Sequence, residues 1–260
     1  MKRMPLRILA LSVSALSLAC CSVKEYREAC PCRLVLDLSE VDTAVVRSAD
    51  LYVSVPGGYV SADVIGKEHI GYEYVTTVPR TELVLNLSSG SGGMMSDKGL
   101  DIPLGDECPP VYMHASVIDG DCEMWNEKVR MRKNFCRVQM SLKGQENSGV
   151  SLSVKGNIAG YDAYGSPESG DFLCRRLLAD PSDACVISVP RQTDDSLVLE
   201  VDDGSGICKV FTLGIYISSA GYDWSSPDLE DISVVLDFAV SHVILKVHGW
   251  EEDHVFDVVI

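Results

Sequence analysis

The side chains in this 260-residue sequence that can carry chemistry are first its ten cysteines and five histidines. Cys20 and Cys21 follow the charge-free run Ile8–Ala19, which stands behind the basic Lys2, Arg3 and Arg7. Leu18-Ala19-Cys20-Cys21 resembles a bacterial lipobox, in which a branched residue and small residues precede a cysteine whose thiol is acylated and becomes the mature amino terminus. Cys21 is the favoured site because it puts Leu18 at the branched position and Ala19 at the small one; Cys20 is the alternative. Acylation of Cys21 leaves an even number of cysteines downstream, and of these Cys108 with Cys122 and Cys174 with Cys185 are candidate disulfides. The competing reading is a set of reduced, buried thiols. The histidines are His69, His114, His242, His248 and His254; His242 and His248 share strand parity but lie ~20 Å apart if extended, too far to bind one metal ion. No Gly-x-Ser-x-Gly elbow, phosphate loop or His-Glu-x-x-His helix occurs, so no catalytic residue, metal site or cofactor is expected. Asp202-Asp203-Gly204-Ser205-Gly206 lacks the spaced carboxylates of a calcium loop and reads as a hairpin turn. Tyr161, Tyr164, Tyr222 and Trp224 are candidates for stacking on sugars, against the plainer expectation that they pack in turns.

The elements that would position these groups are strands. Beyond residue 32 apolar residues alternate with period two, and helical periodicity is nearly absent. The expected strands are Arg33–Leu38, Leu51–Val55, Glu82–Leu87, Val111–Val117, Cys136–Leu142, Val150–Val154, Ala184–Val189, Leu197–Val201, Ile207–Ile217, Ile232–Val247 and His254–Ile260. Turn formers such as Pro56-Gly57-Gly58 and Ser225-Ser226-Pro227-Asp228 separate them, and nothing alternates strand with helix as a parallel α/β sheet requires. The chain is therefore expected to be all-β, with packed sheets. Ser88–Gly93 reads as a hairpin or a connection between sheets, and a domain boundary is placed near residues 130–135.

Composition fixes the surroundings. With 22 basic against 38 acidic residues the formal charge is −16, and removal of residues 1–20 lowers it by three to −19. Such a body is repelled by nucleic-acid phosphates and anionic headgroups, so nucleic-acid binding is excluded and a lipid must supply any hold on a membrane. The twelve uncharged residues Ile8–Ala19 reach ~18 Å as a helix, short of the ~30 Å hydrocarbon layer, which favours a cleaved signal over a spanning anchor. Two or three acyl chains on one cysteine make release slow where a single chain does not.

Several residue sets together carry a family resemblance. Cys21-Ser22-Val23 followed by Cys30-Pro31-Cys32-Arg33-Leu34-Val35-Leu36, then Lys133-Asn134-Phe135-Cys136-Arg137-Val138, Gly160-Tyr161-Asp162-Ala163-Tyr164-Gly165, Asp231-Ile232-Ser233-Val234-Val235-Leu236-Asp237-Phe238 and Trp250, in this order, resemble the FimB-type family of minor fimbrial subunits over nearly the whole mature chain. The resemblance implies a lipoprotein of the cell surface that anchors a fimbria to the outer membrane and is not an enzyme. It also implies two tandem transthyretin-like β-sandwich domains, here residues 33–133 and 134–260, after a signal peptide (1–20) and a lipidated tether (21–32). The implied partner is a fimbrial shaft subunit, joined by addition of a strand to a sheet. If Arg33–Leu38 keeps its place with Leu34, Leu36 and Leu38 facing the core, the protein fills its own groove. Phe256, Val258 and Ile260 on the last strand are then candidates for strand exchange, unless that strand simply completes its own sheet. The runner-up is a surface adhesin that binds glycan without a fimbrial partner.

Overall fold

The computed structural model describes residues 30–55, 58–144, 149–178, 180, 184–202, 204, 208–237, 242–247 and 254–257. Among them the first half of the chain forms β1 (Cys32–Asp37), β2 (Ala49–Val55), β3 (Gly58–Ile65), β4 (Glu73–Val78), β5 (Glu82–Ser89), β6 (Met95–Ser96), β7 (Gly99–Asp101), β8 (Tyr112–Asp119), β9 (Met124–Lys128) and β10 (Arg132–Lys133). The second half forms β11 (Phe135–Lys143), β12 (Ser151–Asp162), β13 (Pro167–Leu177), β14 (Cys185–Pro190), β15 (Val198–Asp202), β16 (Cys208–Phe211), the helix α1 (Leu213–Ser219), β17 (Ile232–Asp237), β18 (His242–Val247) and β19 (His254–Asp257). The all-β expectation holds. No helix of the described residues is long and apolar enough to cross a membrane.

The strands of the described residues build four sheets around two apolar clusters. Sheets ordered β4-β1-β9 and β10-β8-β5-β2-β3 enclose the first cluster, and sheets ordered β14-β11-β17-β18-β19 and β16-β15-β12-β7-β6 enclose the second, with β13 on the other edge of β12. Period-two alternation explains the first. Leu34, Leu36, Leu51, Val53, Leu83, Leu85 and Leu87 all turn inward with almost no exposure. β1 lies in the middle of its sheet, antiparallel to β4 and parallel to β9, so Leu34, Leu36 and the following Leu38 face the core as expected. β11 repeats this arrangement in the second half, antiparallel to β14 and parallel to β17.

The chain crosses between the clusters before residue 133. Met95, Leu100, Ile102, Cys108, Val111 and Met113 belong to the second cluster, and β7 pairs with β12. The connection after β5 therefore joins sheets, and residues 105–108 then lie along two strands of the second half. Gly105 N–H donates to the Leu173 carbonyl at 2.8 Å, Cys108 N–H to Ser188 O at 3.0 Å, and the Glu107 carboxylate accepts the Ser188 N–H at 3.1 Å. The outer edges of β13 and β14 are thus covered by a segment from the first half.

Three expectations need correction. Ile207–Ile217 is not one strand: β16 ends at Phe211 and α1 follows, because Leu213, Ile217 and Ala220 recur at helical spacing and are buried while Ile215 stands exposed. The alternation of Leu213, Ile215 and Ile217 concealed that period. Ile232–Val247 is a hairpin of β17 and β18 rather than one strand. Strands β3, β4, β9 and β13 carry many polar, exposed residues and escaped notice for that reason. β15 and β16 pair antiparallel with Asp202 opposite Cys208, while Asp203, Ser205 and Gly206 of the run between them lie outside the described residues.

Candidate functional site

The sequence sets 133–138 and 160–165 and the described part of the third, 231–237, meet at one junction. Glycine permits the approach of the strands there. A Cβ on Gly160 would collide with the Leu100 carbonyl, and Gly99, at φ +125°, would strike the Tyr161 carbonyl in the same way. Tyr161 follows, wholly buried, with its hydroxyl donating to the Asn134 carbonyl and accepting the Arg191 N–H at 2.8 Å. Burial pushes this phenol far above its ordinary pKa, so it stays a neutral donor and acceptor.

Arg191 is the centre of the junction and was missed in the sequence, where a lone arginine after Pro190 gives no signal. Its Nε donates to Asn134 Oδ1 at 3.1 Å, and its two terminal nitrogens reach the carbonyls of Trp224, Ser226 (2.6 Å), Pro227 (3.3 Å) and Lys133 (3.4 Å). A guanidinium has five N–H donors, and here there are five acceptors. Burial lowers its pKa, although it remains a cation at any physiological pH. Neighbouring carboxylates hold the flanks: Asp228 accepts from Arg132 at 3.0 Å and from Lys133 N–H at 2.9 Å, and Asp231 accepts from Lys133 Nζ at 2.6 Å and Arg137 N–H at 3.0 Å. The turn after β12 docks on the first half. Asp162 caps it by accepting from the N–H groups of Tyr164 and Ser166, both at 2.9 Å, and Asn86 on β5 donates to the Ala163 carbonyl at 2.9 Å.

A cleft of about 340 Å³ opens beside this network, lined by His114, Arg130, Arg132, Asn134, Tyr164 and Arg191 among others. Its basic side chains are largely matched. Arg130 meets Glu40 at 3.0 Å, Arg132 meets Asp228, and His114 meets Glu127 at 3.2 Å, while Arg191 is held by carbonyl oxygens. The group free to receive a ligand is the Tyr164 ring, 54% exposed. Tyr161 and Tyr222 are buried, and Trp224 packs edge-on against Tyr222 at 4.7 Å, so three of the four aromatics considered for sugar stacking serve packing. Among the described residues no group of three His, Cys, Asp or Glu side chains could hold a metal ion.

The remaining expected sites are distributed as follows. Cys20 and Cys21, with the signal peptide and most of the tether, lie outside the described residues, as do Val258 and Ile260. Phe256 lies on β19, paired with β18 at a sheet edge, and its ring stacks on Tyr216 at 5.1 Å. Cys108 and Cys122 are not partners: β8 runs extended between them and at ~3.3 Å per residue holds its ends ~25 Å apart. Cys108 instead sits in the second cluster, where the nearby Cys136 adds to the effect of burial on its thiol. Cys122 lies beside Cys32, sulfur to sulfur 3.7 Å. Burial, with a smaller contribution from the neighbouring Cys185, raises the Cys174 pKa to about 11.

The architecture defines a fold class, an all-β chain of several packed sheets. A Bacteroides thetaiotaomicron protein assigned to DUF1812 and named as a candidate polysaccharide binder superposes with TM-score 0.63 at 14% identity, over 87% of this chain and 98% of that one. The fimbrial anchor protein Mfa2 from Porphyromonas gingivalis gives TM-score 0.58 at 14% identity, over 85% and 98%, and a candidate adhesin from Bacteroides ovatus gives 0.56 at 12%, over 87% and 95%. The neighbours thus include a fimbrial anchor and adhesin-type proteins, the group to which the sequence resemblance points; at such identities the common property is the fold. No protein-family model and no curated protein sequence matches the chain.

Proposed function

We propose that the protein is a non-enzymatic, lipid-anchored protein of the outer-membrane surface that holds a fimbria through strand pairing with a shaft subunit. The observation that carries this reading is the position of β1. The strand nearest the proposed lipid is clamped between β4 and β9 with its leucines buried, so a body of this kind keeps its amino-terminal strand and its tether together. The fold common to this chain and Mfa2 supports it. Two tandem sandwiches, meeting at residues 133 and 134 and stitched by residues 95–108, form the rigid link between tether and partner.

Docking would use a sheet edge that none of the described residues covers. Residues 105–108 lie along β13 and β14, whereas β3 ends its sheet with Ser61, Ala62, Asp63 and Val64 exposed in succession. Addition of a shaft strand along β3 would satisfy main-chain groups by β-augmentation. The test is a Cys21→Ala variant with mass spectrometry of the mature amino terminus: the protein should appear in the medium together with its fimbriae. Unchanged attachment to the cell would reject both the lipid site and the anchoring role. A second reading, glycan binding, is favoured only by the exposed Tyr164 in the junction cleft and by the DUF1812 neighbour; Tyr164→Ala should leave a glycan-array profile unchanged if the anchor reading holds.

A further inference from the structure

Cys32 is the first residue of β1, and Cys122 stands two residues before β9, ninety positions further along the chain. The parallel pairing of β1 with β9 sets Arg33 opposite Met124, and the Arg33 N–H donates to the Glu123 carbonyl at 2.9 Å. That register brings the entrances of the two strands together and leaves the two sulfurs 3.7 Å apart. Cys32 is fully buried while Cys122 is partly exposed, so one thiol is shielded and the other can meet a reagent. The other contacts of Cys122 are weak, to the carbonyls of Met124 at 3.3 Å and Asp119 at 3.6 Å, and do not account for a cysteine at this place.

We infer that Cys32 and Cys122 form a disulfide in the mature protein and that it fastens the first strand of the body to the turn before β9. The bond forms by exchange with a disulfide-bearing oxidant. The Cys122 thiolate attacks one sulfur of the oxidant and expels the other as a thiolate, giving a mixed disulfide. Cys32 then loses its proton and attacks the Cys122 sulfur, expelling the second thiolate, so two cysteine thiols are oxidised and one disulfide of the oxidant becomes two thiols. Exposure makes Cys122 the first to react, and burial with the adjacent Cys122, which raise the Cys32 pKa to about 11, make Cys32 the second.

The mechanical consequence rests on the anchoring role proposed above. Tension arriving along the tether reaches Cys32 before any hydrogen bond of β1. With the bond in place it passes into the turn at residues 119–124 and β9; without it, β1 is drawn out of the sheet from its first residue.

The test starts with the full mature protein taken from cells whose free thiols are blocked at lysis, then digested without reduction and mapped by mass spectrometry. A peptide linking Cys32 to Cys122, absent after reduction, is the expected result. Recovery of both residues carrying the blocking group, or of Cys122 joined to another cysteine, overturns the inference. The Cys122→Ser variant should keep its fold, since the site is partly open, and cleavage after the exposed Arg33 by a trypsin-like protease should accelerate at least tenfold; mild reduction of the unaltered protein should do the same. Equal cleavage rates in all forms would overturn the clamp. The Cys21→Ala shedding experiment addresses the anchor separately, because the peptide map does not depend on a fimbria being present.

Discussion

At the scale of single residues, the junction around Tyr161 and Arg191 gives the sharpest expectation. Tyr161→Phe keeps the buried ring but leaves the Asn134 carbonyl and the Arg191 N–H without their shared partner, which should cost ~1–3 kcal/mol in a urea titration. A loss below a few tenths would show that the network is redundant. Cys122→Ser should cost up to ~4.5 kcal/mol in the chain-entropy model of a loop this long, and the same variant compared with reduced protein should show almost no difference. Acid sensitivity has a definite sign. The Asp223 carboxyl is held below its usual range by Ser225, and that of Glu40 chiefly by Lys128. Both contribute stability that is present above the unfolded pKa and disappears as pH falls through the lowered folded values, so the melting temperature should be flat down to about pH 5 and decline below about pH 4. Part of this site was legible beforehand. Gly160–Gly165 announced a tight turn and Asn134 stood within a quoted set, but Arg191 had no local signature because its five partners come from two distant stretches of chain, 133–134 and 224–227.

At the scale of elements, β3 and β19 make opposite predictions. Substituting Ala62 and Val64 together by lysine places two charges on the open edge of β3 without touching the core, so recovery of a shaft subunit by co-purification should fall several-fold while the melting temperature stays put. Undiminished recovery would move the docking site elsewhere. Removal of Val255–Ile260 takes away the Phe256 ring from Tyr216, a contact of ~0.5–1.5 kcal/mol beyond area, and should leave a folded protein that still retains fimbriae. Loss of fimbriae from that folded protein would revive strand exchange by Phe256, Val258 and Ile260. The strands that bury one face were readable from alternation alone, as β1, β5 and β11 show with their runs of inward Leu, Val and Met. Those that read poorly were edge strands such as β3 and β13, whose exposed residues answer to solvent and not to a core, and α1, whose seven residues are too few for a helical period to stand out.

At the scale of the whole molecule, the two apolar clusters are joined by chain crossing in both directions. The first half contributes β6, β7 and residues 105–113 to the second cluster, and the 162–166 turn of the second half returns to rest against β5. A cut at residue 133 should therefore yield two fragments that are insoluble apart and recover native circular dichroism only when refolded together; an independently folded 134–260 fragment would contradict that. The backbone leaves β10 of one sheet for β11 of another near residue 134, but it also changes sheets on either side of β6 and β7, and periodicity carries no information about which sheet a short strand such as β7 will join. The parallel contact of β1 with β9 has a last effect, on timing. Synthesis proceeds from the amino terminus, so the opening strand emerges some ninety residues ahead of one of its two neighbours and must wait with a bare flank until that neighbour arrives. During that interval the nascent polypeptide offers other chains a sticky template, and a holdase that shields Leu34 and Leu36 would raise the yield of folded product.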